Sequence, residues 1–341
     1  MYYVGLDVAC KGSYLYTRDR RGRKVEGKEI STSKSGIRAA FSKYRDKKTV
    51  VAIEAGGSTR WIHDELVKMG IKVYIVNPNK VKAIADSKRK TDKIDAKVLS
   101  ELLRIDALPE EVYMAKGSSR EMRDLLNARH GIIKGYTSLM NHMRGLLRQE
   151  GVRLPAREMM KSGYKDNIVK LRLPEHVKVI VERYAGAIDH LIEEKEKIGK
   201  RIKSLKSKEV DLIKTIPGMG ELSSKTILSA IGEIKRFKRA KQLTSYCGLV
   251  PTVRSSGERT EYGRITREGR SEVRRVGIQS AHAILRSKAV ESYPLKKWHA
   301  SIARRRGKKT ALVALARKLV TIVFYVLRDK KPYDYTLLKV A

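Results

Sequence analysis

An ionised carboxylate at the end of an apolar strand is costly unless something cationic answers it, and this chain has that pattern twice. Residues 2–9 (YYVGLDVA) are apolar apart from Asp7, and residues 49–55 (TVVAIEA) are apolar apart from Thr49 and Glu54. Around these two runs the first hundred residues alternate strand and helix signals. Residues 12–19 and 24–32 read as strands joined by turn chemistry at 20–22. Residues 33–44 read as a helix, 58–70 as a helix closed by Gly70, 71–76 as a third apolar strand, and 91–105 as a long helix. Strand–strand–strand followed by alternating helix and strand predicts an α/β domain with a mixed sheet.

The middle of the chain predicts long helices. Ser118-Ser119-Arg120-Glu121 has the spacing of a capping box, and apolar residues from Met122 to Leu147 follow at helical intervals. From Val177 to Leu205 apolar residues alternate 4 and 3 apart, through Val181, Tyr184, Ile188, Leu191, Ile198 and Ile202, with one polar break at Lys195. That is a coiled-coil seam. A seam does not reveal whose helix fills it, so a dimer contact and an intramolecular hairpin against the Met122 helix both remain open. The last third contains Ile216-Pro217-Gly218-Met219-Gly220 before a helix at 221–231, a Gly/Ser/Arg-rich segment at 248–270 with little periodicity, and helices near 271–286 and 310–328. The basic stretch at 301–309 (SIARRRGKK) reads as an exposed link. The expected organisation is three regions, 1–110, 111–210 and 211–341.

Charge narrows the function. The 341 residues carry 75 Lys and Arg against 37 Asp and Glu, a formal net charge of +38. With 41% hydrophobic residues this is a folded chain with an extreme surface, and it implies a large polyanionic partner. Two cysteines, Cys10 and Cys247, exclude a disulfide framework and a four-thiolate zinc site. Residues 311–327 are strongly apolar but contain Arg317 and Lys318, so they predict a buried helix and not a membrane span. Met1 runs directly into a strand that contains Asp7, so no leader is expected.

Three constellations carry chemistry. Asp92 and Asp95 in KTDKIDAK share one helix face and, with Asp7 and Glu54, make four oxygen donors without histidine or thiolate. That donor set suits Mg²⁺ (or Mn²⁺), and such ions activate nucleophiles and stabilise leaving oxygens in phosphodiester cleavage. The bland reading of Asp92 and Asp95 is ordinary pairing with Lys88, Arg89, Lys90, Lys93 and Lys97. The second constellation is Arg254-Ser255-Ser256-Gly257-Glu258-Arg259, followed by Arg264 and Arg267, in which a serine could attack a phosphorus whose charge arginines hold. Its bland reading is a Ser-Gly turn. The third is the Gly218–Gly220 turn, which resembles a helix-hairpin-helix offering backbone N–H groups to a phosphate, or else is a tight turn without a ligand. Arg304 and Arg305 add exposed positive charge.

Taken in order, VGLDVA, AIEAGG, YIVNP, KTDKIDAKVLSELL, IPGMGELSSKTILSAIG, SYCGLVP and SSGERTEYGRITREG resemble the DEDD-type transposases of the IS-one-ten insertion-sequence family, related to the Piv site-specific DNA invertases. The resemblance covers nearly the whole chain. Arg270 after Gly269, where the family more often has Asn or Asp, and Val273-Arg274 in place of Leu-Arg are its departures. The resemblance implies an α/β + α fold: an RNase H-like (RuvC-like) mixed-sheet domain, a central helical coiled coil, and a mostly helical, serine-bearing C-terminal domain with the helix-hairpin-helix-like motif. It implies a catalytic, metal-binding set Asp7, Glu54, Asp92 and Asp95, and a nucleophilic serine at Ser256, with Ser255 beside it. It further implies donor and target double-stranded DNA, a structured non-coding guide RNA, a homodimer or homotetramer, and a prokaryotic, nucleoid-associated cytoplasmic protein with no membrane partner. For nucleic-acid contact the candidates are Lys88, Arg89, Lys90, Gly218, Gly220, Arg254, Arg259, Arg264, Arg267, Arg304 and Arg305. The rivals are a water-using resolvase-like nuclease, a passive nucleic-acid binder and, last, an actin-like ATPase, which lacks a phosphate-gripping glycine loop here.

Overall fold

In the computed structural model, residues 1–45, 47–84, 91–155, 158, 171–256 and 259–337 are described. The chain divides into two compact units, Met1–Met114 and Ala115–Ala341.

The first unit is built on a five-stranded sheet. Its strands are β1 (Tyr2–Val8), β2 (Gly12–Arg18), β3 (Lys24–Ser31), β4 (Thr49–Glu54) and β5 (Lys72–Val76), in the order β3-β2-β1-β4-β5. β1, β2 and β3 pair antiparallel, whereas β1, β4 and β5 run parallel. A mixed sheet of this order, with helical crossovers on its parallel side, fits an RNase H-like domain. The two faces have separate cores. On one face Val4, Leu6, Leu15, Val51, Ile53 and Ile75 pack against α1 (Lys34–Phe41) and α2 (Thr59–Lys68) through Ile37, Phe41, Ile62 and Leu66. On the other, Val50, Ala52 and Val76 meet Leu99, Leu102 and Leu103 of α4 (Asp92–Arg104) and Val81 of α3 (Pro78–Ile84).

Gly5 sets how closely α4 lies on β1. A Cβ at Gly5 would sit 2.0 Å from the Ala96 carbonyl oxygen and 2.6 Å from the Ser100 backbone nitrogen. Both are helix backbone, which cannot swing aside as a side chain would. Gly5→Ala should therefore destabilise the first unit by about 3 kcal/mol, read as a lowered denaturant midpoint. It should also lower any activity that needs the first turn of α4 beside β1. A midpoint unchanged from the parent would show that α4 shifts without cost.

The second unit is helical. α5 (Gly117–Gln149) and α6 (Glu175–Ser204) form an antiparallel hairpin. Its core is Met140, Met143 and Leu147 against Leu173, Val177, Val181, Ala185 and Ile188. The first half of the 177–205 seam is thus filled from within the same chain, which is the hairpin alternative. The capping box expected at Ser118 is not formed: α5 begins at Gly117 and is capped two residues earlier than expected, at Lys116, without a side-chain bond. Glu121 instead accepts from Arg201 Nη2 of α6 at 2.6 Å. An ion pair across the hairpin has taken the side chain that the box required.

Beyond the hairpin come α7 (Lys208–Lys214), α8 (Glu221–Ile231), α9 (Ala240–Tyr246), α10 (Ser271–Arg286), α11 (Tyr293–Arg306) and α12 (Lys308–Asp329). α12 is long and apolar enough to cross a membrane by composition alone. Leu315, Leu319, Val320, Val323, Phe324 and Leu327 instead bury it at the centre of the C-terminal core, as expected for 311–327. The stretch at 301–309, expected as a link, is almost entirely helical. α11 runs on through Arg306, and only Gly307, with φ +83°, breaks it from α12. Repulsion among its arginines is tolerated because they lie exposed at the helix C-terminus, where the macrodipole favours cations.

Lys225 of α8 is 2% exposed, and its Nζ donates to the Ile202 carbonyl (2.6 Å), the Lys203 carbonyl (3.1 Å) and Glu221 Oε1 (2.7 Å). One buried ammonium thus satisfies the last turn of α6 and ties it to α8. Arg123 of α5 does the converse, donating to the Ser229 carbonyl at 2.6 Å at the end of α8.

The segment 248–270 is not irregular. It contains a two-stranded antiparallel ribbon, β6 (Pro251–Ser256) and β7 (Arg259–Ile265). Nearly all its residues are exposed on both faces, so it carries no hydrophobic alternation for a sequence reading to find.

Candidate active site

The acidic set is assembled by strand parity and one close helix contact. Along β1, Val4 and Leu6 face the α1/α2 core, so Asp7 points to the α4 side, as Gly5 does. Along β4, Val50 and Ala52 face α4, so Glu54 does too. The parallel register places Leu6 opposite Ile53, which brings Asp7 and Glu54 to neighbouring strand ends. Asp92 and Asp95 occupy the first turn of α4, where Thr91 caps the helix by accepting from the Ile94 N–H at 3.3 Å. Carboxylates are favoured at that end by the helix dipole. The approach permitted by Gly5 carries this turn over β1.

Electrostatics records the convergence. The Asp7 carboxyl is raised from 3.8 to about 6, chiefly by burial and then by the negative charges of Asp92, Asp95 and Glu54. Hydrogen bonding from the Val8 backbone opposes the rise. The other three sequence-predicted acids therefore all act on Asp7. Among the described residues, however, no group of three or more His, Cys, Asp or Glu side chains is arranged to hold a metal ion. By residue type alone the set suits a hard divalent cation, since every donor is a carboxylate oxygen and none is histidine or thiolate.

The sign of this coupling is fixed. A carboxyl whose folded value lies above its unfolded one binds more protons in the native state. The Asp7 contribution to stability is then fully present below about pH 4 and is lost as the pH rises through 6. A divalent cation competes for the ionised form. Adding Mg²⁺ should raise the melting temperature above pH 6 and leave it unchanged at pH 4.5, as calorimetry across that range would check. An equal rise at both values would place the ion elsewhere.

The serine candidates sit on the ribbon. Register pairs Val253 with Tyr262, Arg254 with Glu261, Ser255 with Thr260 and Ser256 with Arg259. Opposed residues share a face, and alternate residues along a strand share it as well. One face therefore carries Val253, Tyr262, Ser255 and Thr260, and the other carries Arg254, Glu261, Ser256 and Arg259. The Ser255 hydroxyl is engaged across the strands with that of Thr260 at 3.2 Å. Ser256 ends β6 and is exposed between the two arginines of its own face.

The remaining nucleic-acid candidates are dispersed. Arg264 is exposed on β7, and Arg267, just beyond it, is exposed in the left-handed region at φ +58°. Arg304 and Arg305 are exposed at the end of α11. Lys88, Arg89 and Lys90, like Gly257 and Glu258, lie outside the described residues. Gly218 has φ +76°, and a Cβ there would meet the Ser280 carbonyl oxygen of α10 at 2.6 Å. That contact alone accounts for the glycine. Gly220 caps the exposed start of α8 with open space where a Cβ would stand. The positioning residue that the sequence reading missed is Gly5. Its signal was a glycine inside an otherwise apolar strand, which marks a close backbone approach.

A family model for DEDD-type IS110 transposases matches residues 4–151, and one described as Transposase IS116/IS110/IS902 family matches residues 210–294. The transposase for insertion sequence element IS1111A from Coxiella burnetii is 27% identical over 97% of this chain and 90% of its own length. A probable family 20 transposase from Pseudomonas aeruginosa is 23% identical over 97% of this chain and 98% of its own length. The pilin gene-inverting protein of Moraxella bovis is 28% identical over 77% of this chain and 74% of its own length.

Proposed function

Since the chain belongs to the IS110 family of insertion-sequence transposases, enzymes that cleave and rejoin DNA, we propose that it exchanges strands through a covalent serine–DNA intermediate formed on Ser256. The observation that carries this reading is the parity of the ribbon. Ser256 shares its face with Arg254 and Arg259, whereas the Ser255 hydroxyl is engaged with Thr260 on the opposite face.

In the proposed step the Ser256 oxygen bonds to a backbone phosphorus as the bond from that phosphorus to one deoxyribose oxygen breaks. The serine proton passes to solvent base, and the deoxyribose oxygen is protonated as it leaves. Nothing is oxidised or reduced, and the phosphodiester energy is kept for rejoining. Arg254 and Arg259 hold the phosphoryl charge, for which guanidinium geometry is suited. Asp7, Glu54, Asp92 and Asp95 would hold Mg²⁺ (or Mn²⁺), which supplies Lewis-acid stabilisation of phosphoryl oxygens and favours deprotonation of a bound hydroxyl. Thr91 fixes the turn that bears Asp92 and Asp95.

Both DNA and a structured guide RNA from the element's end are proposed as partners, with the net charge of +38 as support for binding polyanions. A homodimer or homotetramer acting in the bacterial cytoplasm completes the reading. The test is a suicide duplex, nicked so that the leaving strand diffuses away. An adduct stable to denaturation and mapped by mass spectrometry to Ser256 is expected. An adduct at another residue, or cleavage with none, overturns the serine reading.

A further inference from the structure

The other face of the β6–β7 ribbon carries Val253 opposite Tyr262, 56% and 72% exposed. Ile265 at the base of the ribbon packs on the C-terminal core, but a two-stranded ribbon is marginal in water and gains nothing from presenting Val253 and Tyr262 to solvent. The pair lies back to back with Arg254 and Arg259, and Arg264 stands on the same strand as Tyr262. A second copy of a chain with net charge +38 would bring like charges together at this hairpin. A polyanion answers them. A two-stranded ribbon also has the dimensions to enter a duplex groove, and apolar side chains inserted between base steps part the stack. A tyrosine ring stacks on any base regardless of sequence, as a recombinase acting at different sites requires.

We infer that the ribbon is a strand-parting wedge for duplex DNA: Val253 and Tyr262 lie against unstacked bases while the opposite face holds the backbone phosphate. The identity of that phosphate rests on the serine reading above, but the unstacking does not. The wedge accounts for both faces of the ribbon's exposed part, Val253–Ser256 against Arg259–Tyr262. It also supplies what strand exchange needs, which is a base pair opened next to the phosphate that is cut.

The probe is a duplex spanning the element's end with 2-aminopurine tiled through it. It is mixed with the full-length Ser256→Ala chain and the RNA that co-purifies with it, so that unstacking is read without cleavage. Fluorescence should rise at one or two adjacent positions. A further Tyr262→Ala change should remove that rise and weaken duplex binding about ten-fold, whereas Tyr262→Phe should keep both. Because Tyr262 is exposed, loss of folding does not enter, and circular dichroism checks this. An equal rise in Tyr262→Ala, a complex that forms with no rise at any position, or a Tyr262→Ala chain that binds normally but changes oligomeric mass would each overturn the wedge. Failure of the serine reading leaves this measurement intact, since an adduct that persists in Ser256→Ala is scored separately on a denaturing gel.

Discussion

Ser256→Ala should yield no covalent adduct and cut its DNA about 10,000-fold more slowly than the parent, while binding within about two-fold. The loss is large because the nucleophile is removed and the neighbouring hydroxyl cannot replace it. Ser255 stands on the other face of β6, and its oxygen is engaged with Thr260 at 3.2 Å. Ser255→Ala should accordingly retain cleavage within about ten-fold. The comparison is made by single-turnover cleavage of a labelled duplex with the two variants side by side. Parental rates in Ser256→Ala would mean that water attacks, and the resolvase-like nuclease would then be the better description. A reversed order between the two variants would mean that the ribbon's register shifts by one residue when DNA binds, since such a slip exchanges the faces.

Asp7→Asn should separate activity from stability in opposite directions. The carboxyl is raised to about 6 because it is half-buried among three other acids, so its ionised form opposes folding at neutral pH. Removing the charge without changing the shape relieves that repulsion. Without divalent metal at pH 7.5, the melting temperature of Asp7→Asn should exceed the parent's by about 2–4 °C, a modest gain because solvent screens the partly exposed group. Strand cleavage should fall at least about 100-fold, since the same carboxylate is a proposed donor to the metal. The stabilisation by Mg²⁺ expected above pH 6 should shrink in the variant. A lower melting temperature in Asp7→Asn would show that the carboxylate makes a structural bond that outweighs its repulsion.

Much of the first unit is legible in the residues, because strand ends and helix caps are local events. Runs such as YYVGLDV and TVVAIE declare buried strands, and Thr91 followed by Asp92 declares a capped helix start. The segment at 248–270 was not legible, because secondary structure is read through hydrophobic periodicity and a ribbon exposed on both faces has none. The Ser118 box failed for a different reason. Glu121 had a competing partner 80 residues away, Arg201, which no local pattern contains. The seam at 177–205 was correctly apolar, yet its filling by α5 depended on which helix the chain folds back beside it.

What the sequence determined by itself was the chemistry available: four carboxylates placed at the ends of an apolar framework, two adjacent serines between arginines, and a charge that calls for nucleic acid. Those are properties of residue type and short-range spacing. What only the tertiary structure decided was which of these groups act together. Asp92 and Asp95 reach Asp7 because an absent side chain at Gly5 lets two backbones close to a distance that any Cβ would prevent. Ser256, and not Ser255, faces the arginines because cross-strand register assigns faces, and register is a relation between strands that neither strand carries alone.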